Sequence, residues 1–455
     1  MPIGMNLPGA FYAYTILEVT MPDIKKMWFL LLAGLIWSPA SANYLHHQGN
    51  KLIDSEGKEV RLTGVNWFGF ETSNMAPHGL WTRDWLGMLM QVKEMGFNCI
   101  RLPFCDRMLD SDAQVKSIST YGSDPYRNVA NGTINQELAG KSPLEVMDVI
   151  IGGCRQLGLK VILDNHSRNP DGYMEEKTWT GKDVTEEKWI ADWVMLAKRY
   201  KGNNTVVACD LDNEPHGTTA EGGAQWGTGV ADKDWRLAAQ RCGNAILAEN
   251  PDVLIVVEGV QQVGSDTYWW GGNLTGVQSA PVTLSHPEKL IYSPHEYGPE
   301  VFQQPWFSAS DFPKNMPGIW DKYFGYLFKS NQAHLLVGEF GILDTASDGG
   351  RSGVWLDEFL KYMGKDYSWT FWCLNPNSGD TGGLLKYDWV TVEQWKLDKL
   401  KPYLAAPIGK AEGIGIKRPG LRPVRALRKA SGPSVDVAGR SRPPGQARMP
   451  VFQRP

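Results

Sequence analysis

The sequence predicts an α/β fold, a (β/α)8 TIM barrel forming a single catalytic domain behind a short N-terminal β-hairpin. Three observations predict it. Eight short runs rich in β-branched and aromatic residues recur between positions 60 and 374, most of them followed by a stretch with helical spacing. No glycine-rich phosphate loop opens a helix, which sets the chain apart from an open doubly wound sheet. The 455 residues are 42% hydrophobic and 21% charged, enough to bury a core, and barrels of this kind run as single units of about 250 residues or more.

In chain order, Lys25 and Lys26 precede an apolar run from Met27 to Trp37 and the small-residue stretch Ala40-Ser41-Ala42. That is the layout of a secretory signal peptide, with an apolar stretch about half as long as a membrane span requires. Residues 1–42 are therefore expected to be upstream residues and a signal peptide cleaved near Ala42, leaving a secreted chain with no membrane attachment. Because a signal peptide begins with its basic region, Met21 is the expected initiator. Residues 52–60, with Glu56-Gly57 at the turn, read as a hairpin. Strands follow at 60–67, 97–102, 160–166, 205–212, 253–258, 289–295, 335–340 and 368–374. Helical patterns lie at 83–95, 144–157, 186–200, 233–249, 319–330, 354–363 and 392–403, while 261–285 shows no clear helical spacing. The catalytic domain is expected to occupy 43–406. Beyond it, residues 407–455 carry 11 Lys or Arg against 2 Asp or Glu, with 8 Pro, and read as a basic, disordered tail.

Charge and cysteine usage exclude several function classes. With 46 basic against 50 acidic residues the body offers no footprint for nucleic acid, and a monomer is expected. Six Cys without C-x-x-C spacing argue against a zinc or redox motif and read as buried thiols. Nineteen Trp exceed both Phe and Tyr. Trp is seldom needed merely to fill a core, so this excess points to a flat ligand.

Barrel chemistry sits where strands end. The expected strand ends offer Asn66-Trp67, Arg101, Asn165-His166, Asn213-Glu214, Glu258, His295-Glu296-Tyr297, Glu339 and Trp372. Two carboxylates, Glu214 and Glu339, reaching one cleft from opposite sides suit glycosidic bond hydrolysis: one protonates the leaving alcohol, the other attacks the anomeric carbon. A rival reading takes Asp210, Asp212, Glu214 and His216 as metal ligands on one strand face. The Asn-Glu-Pro context and a partner at Glu339 already account for Glu214, so no metal or cofactor is expected. A non-catalytic glucan-binding barrel is the other rival, and the presence of both carboxylates speaks against it.

Asn213-Glu214-Pro215, Gly338-Glu339-Phe340, Ile100-Arg101-Leu102-Pro103, His166, His295 with Tyr297, and Trp372 together resemble glycoside hydrolase family 5. The stretches from Gly64 to Thr72, Tyr268 to Leu274 and Trp372 to Gly383 are similar to its bacterial secreted endo-β-1,4-glucanase branch. The resemblance implies a retaining mechanism, with Glu214 as acid/base and Glu339 as nucleophile. It further implies that Arg101 and Tyr297 hold Glu339, that His295 bonds toward Glu214, and that Asn213 reaches the sugar 2-hydroxyl. His166 is expected to bond substrate or the Arg101 network, and Trp372 to floor the cleavage point. Trp81, Trp270 and Trp306 are the expected subsite aromatics, chosen from a set that includes Trp67 and Trp269. His78 is expected to bond a sugar or brace its loop. The implied substrate is the β-glucan of cellulose or its soluble relatives, with mannan and xyloglucan as alternatives because subsite loops set substrate choice.

Overall fold

A computed structural model describes residues 44–409, with positions 173 and 347 excepted. The expected signal peptide and nearly all of the expected tail lie outside the described residues. Eight parallel strands form the central sheet: β1 (Thr63–Asn66), β2 (Cys99–Cys105), β3 (Lys160–Ser167), β4 (Val206–Asp210), β5 (Leu254–Glu258), β6 (Leu290–Ser293), β7 (Leu336–Val337) and β8 (Ser368–Phe371). Their order is β6-β5-β4-β3-β2-β1-β8-β7. Parallel bridges Tyr292–Leu335 and His295–Glu339 join β6 to β7, so the sheet closes into a barrel.

The strands read as apolar runs because both of their faces are buried. Alternate residues take opposite sides. In β5, Ile255 and Val257 pack outward in the main core, while Leu254 and Val256 pack inward with Cys99, Ile162, Ala208, Ile291 and Leu336. Each inward row starts apolar at the strand's beginning and turns charged near its end: Cys99 to Arg101, Ile162 to Asp164 and His166, Ala208 to Asp210, Val256 to Glu258. The strand pattern that fills the barrel thus also aims the site.

Four long helices cover the first half: α1 (Trp85–Glu94), α2 (Pro143–Leu157), α3 (Glu186–Arg199) and α4 (Trp235–Glu249). Side-chain caps fix the starts of α1, α2 and α3, as at Ser142, which accepts from Glu145 N–H while Glu145 accepts in return from Ser142. Between β5 and β6 the described residues hold no α-helix. A ribbon of Gln262–Val263 and Asp266–Thr267 and a 3-10 turn at Thr275–Gln278 take its place. After β6 the expected single helix is α5 (Met316–Trp320), a π turn (Asp321–Gly325) and α6 (Tyr326–Lys329), followed later by α7 (Arg351–Met363) and α8 (Gln394–Leu400). No helix among the described residues is long and apolar enough to cross a membrane.

The expected hairpin is present as Lys51–Asp54 and Glu59–Val60, and Leu45–Gln48 adds a third antiparallel strand. Its Leu45, Leu52 and Val60 plug the N-terminal mouth of the barrel. Ile408, 2% exposed, joins the same cluster, so packing continues two residues past position 406.

The tryptophan excess is largely a matter of packing, contrary to expectation. Trp67, Trp179, Trp189, Trp193, Trp235, Trp320, Trp355 and Trp369 are each under 2% exposed. Most solve the problem of the buried indole N–H with a partner: Trp189 and Trp193 both donate to the Leu211 carbonyl, and Trp320 and Trp355 to Glu296. All six cysteines are buried and free, as expected.

Candidate active site

The site is built around Arg101, fully buried on β2. Its Nε meets Asp210 at 2.9 Å, Nη1 meets Glu339 at 2.7 Å and Asn66 at 3.1 Å, and Nη2 meets Asn213 at 2.8 Å, Asp164 at 3.0 Å and Glu258 at 3.2 Å. One guanidinium therefore spans strands β1 to β5 and β7, which its planar fork of donors allows and a lysine could not. Burial pushes Asp210 up to about 6 and holds Glu258 well above the usual carboxylate range.

Glu339 follows β7 and is gripped at both oxygens. Arg101 donates to Oε1, and the Tyr297 hydroxyl donates to Oε2 at 2.7 Å. His295 stands between the carboxylates, with Nδ1 3.1 Å from Glu214 Oε1 and 3.7 Å from Glu339 Oε2. Burial opposes its positive charge, but Glu258 and Glu339 outweigh that and hold its pKa well above the usual imidazole range. His166 meets Asp164 at 2.7 Å; burial again opposes the cation, and Asp164 raises the pKa to about 9.

Glu214 lies just beyond β4 with a φ of 50°, a left-handed conformation that costs a non-glycine residue on the order of 1 kcal/mol. Its N–H donates to Glu258 Oε2 at 2.8 Å. Side-chain oxygens of Glu214 and Glu339 and a ring nitrogen of His295 all lie within 4.8 Å of one another. Glu214 and Glu339 are 4% and 3% exposed, so both sit at the bottom of the cleft rather than on an open surface.

The structure thus brings Arg101, His166, Asn213, Glu214, His295, Tyr297 and Glu339 into one constellation. Trp372 adjoins it, its ring nearly parallel to those of His166 (9°, centroids 5.5 Å apart) and Phe68 (13°, 5.6 Å). Of the expected subsite aromatics, Trp81 is 39% exposed with its edge against Trp389, and Trp270 stacks on His216 at 3.8 Å. Trp306 is partly buried against Tyr268 and Tyr323, a packing environment. Trp67 and Trp269, at 0% and 8% exposure, belong to the core. His78 braces its loop: Nε2 lies 3.0 Å from Thr72 Oγ1, Nδ1 lies 3.1 Å from Asn377, and burial lowers its pKa to about 4.

Asp210, Asp212, Glu214 and His216 do not converge as ligands. β4 ends at Asp210, and the regular alternation ends with it. Asp210 turns to Arg101, Asp212 to Arg168 at 2.8 Å, and His216 to Trp270. Two other clusters, Asp164-His166-Glu339 and Glu214-His295-Glu339, are tight enough to enclose an ion. Their histidines are already engaged with carboxylates, His166 Nδ1 with Asp164 at 2.7 Å and the two ring nitrogens of His295 with Glu214 and Glu258 at 3.1 Å each.

Sequence reading overlooked Asp164 and gave Asp210 and Glu258 no place in an Arg101 network. The signal was alternation: Asp164 and His166 share the inward face of β3, whereas Asn165, between them, faces Arg168. Glu71 was also missed. It is 3% exposed near His166 and Asp164, and burial raises its pKa to about 7.

Facing carboxylates at the C-terminal mouth of a (β/α)8 barrel define a glycoside hydrolase. Known proteins narrow that class. A family model for cellulase (glycosyl hydrolase family 5) matches residues 53–378, and the chain belongs to that family. It is 45% identical to an endoglucanase of Paenibacillus polymyxa over 394 residues, covering 82% of this chain and 94% of the relative. It is 40% identical over 365 residues to the major extracellular endoglucanase of Xanthomonas campestris pv. campestris, covering 79% and 71%. A cellotetraose complex of the endocellulase from Pyrococcus horikoshii superposes with a TM-score of 0.71 at 38% identity, covering 80% of this chain and 99% of that one.

Proposed function

We propose that the chain is a retaining endo-β-1,4-glucanase acting on internal bonds of cellulose or soluble β-glucan, with Glu214 as acid/base and Glu339 as nucleophile. The observation that carries this reading is that one side-chain oxygen of Glu214 and one of Glu339 lie within 4.8 Å of each other. Retaining enzymes place their carboxyl groups about 5 to 5.5 Å apart, whereas inverting ones leave about 6.5 to 9.5 Å for a water. Donors at both oxygens orient Glu339, as an attacking nucleophile requires.

In the first step Glu339 bonds to the anomeric carbon as the glycosidic bond breaks, and the Glu214 proton passes to the departing oxygen. In the second step Glu214 takes a proton from water, whose oxygen displaces Glu339. Asn213, its amide orientation fixed by Arg101, donates to the sugar 2-hydroxyl. Trp372 offers its face to the sugar at the cleavage point, and Trp81 and Trp270 extend the platform. The endoglucanase relatives and the cellotetraose complex support a β-1,4-glucan over mannan or xyloglucan. Initial rates on carboxymethyl-cellulose, mannan and xyloglucan test this; a higher rate on either of the latter two contradicts it.

The chain acts, in this reading, as an exported monomer. Support comes from the basic, apolar and small-residue segments through Ala42 and from a site assembled wholly from one chain. N-terminal sequencing of the exported protein should find Asn43 first, and a chain retaining Met21 contradicts export with cleavage.

A further inference from the structure

We infer that Glu258 is a positioning residue for the proton transfer at Glu214, which deepens the functional reading above and rests on it. Glu258 is fully buried at the end of β5 and makes three contacts, two of which converge on the acid/base. Its Oε2 accepts the Glu214 N–H at 2.8 Å, at the point where that residue adopts its left-handed backbone. Its Oε1 lies 3.1 Å from His295 Nε2, and the opposite nitrogen of that ring lies 3.1 Å from Glu214 Oε1. Oε1 is also 3.2 Å from Arg101 Nη2. One carboxyl thus holds the main chain of Glu214 directly and its side chain through His295.

The surroundings keep that clamp rigid. The Trp235 indole donates to the Glu258 carbonyl at 2.9 Å, and Glu258 pairs with Ser293 across β5 and β6. Over the top passes Gly271, with φ 64°, so close that a Cβ there would lie 2.3 Å from Glu258 Oε2 and 3.1 Å from Glu214 Cα. Its N–H reaches the Pro215 carbonyl and its carbonyl accepts from Gly259, stitching the loop across both glutamates. Glu258 lies beneath Glu214 in this layering, so it acts through that residue.

A residue that only stabilises the barrel lowers turnover of every substrate alike. A residue that aims a proton donor matters most where the leaving group needs a proton. The test compares kcat/KM, which reports the glycosylation step, for cellotetraose and for 2,4-dinitrophenyl cellobioside, whose phenolate departs unprotonated. In Glu258→Gln and Glu258→Asp the cellotetraose-to-aryl ratio should fall about tenfold or more from the parent value. Both substrates are measured on one preparation, so the ratio does not depend on the fraction folded. An unchanged ratio in both variants overturns the proposal. Glu214→Gln run alongside separates the two levels: if its ratio is also unchanged, the acid/base assignment itself fails, and if its ratio falls while those of the Glu258 variants do not, Glu258 alone is misassigned.

Discussion

Arg101 answers four carboxylates with one charge and two amide oxygens with the same fork of donors. Such a site tolerates no conservative exchange. Lys at this position carries a single point charge on a flexible stem, so it can meet one or two of these partners and leaves the remaining acids buried without a donor. Arg101→Lys should lower kcat on carboxymethyl-cellulose by about 100-fold or more and drop the thermal midpoint by several degrees. A variant with near-parental kcat would show that the fork is not needed to orient Glu339. At the catalytic pair, Glu339→Gln should remove nearly all turnover, because an amide cannot form the covalent intermediate.

Much of this constellation is legible in the sequence, because Glu214, Glu339, Arg101, His295 and Tyr297 stand at strand ends beside short local patterns. The buried supports are harder to see. Asp164 and Glu258 look like any acid near a strand end until their inward row is traced back through Ile162 and Val256 to the core. Tryptophan misleads for a related reason: composition records how many indoles there are but not whether a carbonyl waits for each N–H.

Elements show the same division. Strands and helices with strong periodicity fall where expected, and α2 matches 144–157 to within one residue because Ser142, Glu145 and Gly158 mark its ends. Ser142→Ala should cost about 1 kcal/mol of stability by freeing N–H groups in the first turn, with activity unchanged since α2 lies on the outer layer. Denaturant unfolding checks the first point and carboxymethyl-cellulose assay the second. Residues 261–285 have no clear helical pattern because they do other work: the Gly271 loop closes over Glu214 and Glu258 where another repeat would place a helix. The break at Asp321–Gly325 was illegible because no Pro marks it. The helix there widens into a π turn around a contact with α7, where the Tyr362 hydroxyl donates to Asp321 at 2.6 Å and a Cβ on Gly325 would collide with that hydroxyl.

For the whole molecule, buried titratable groups set the response to pH. Burial raises Glu71 and Asp212 to about 7 and Glu296 to about 8, while His166, opposed by burial but held by Asp164, stands at about 9. Each pKa is higher in the folded than in the unfolded chain. Each group therefore contributes stability that is complete below its unfolded value and is lost as pH rises through its folded one. Lys396, lowered by burial to about 8, works in the other direction only above that pH. The thermal midpoint should fall steadily from pH 6 to pH 8, and Glu296→Gln, which mimics the neutral acid, should make that fall shallower across the whole range. A midpoint that climbs over this range contradicts the sign. His78 and His334, both lowered by burial to about 4, bound the acid side, because their protonation below pH 6.5 opposes folding.

At the same scale the tail should be dispensable once Ile408 is kept. Truncation after Gly409 should leave the midpoint and the rate on soluble glucan nearly unchanged, whereas Ile408→Ala should cost about 2 kcal/mol by emptying part of the plug beneath the barrel. A drop of many degrees on truncation after Gly409 would show that residues beyond it contribute to folding.

The most direct test of the catalytic assignment is the anomeric configuration of the first product. Two successive displacements, one by Glu339 and one by water, restore the starting configuration, so proton NMR at early times on a soluble β-1,4-glucan should show the β anomer before mutarotation. Early α product would mean a single displacement by water and would contradict Glu339 as the attacking group.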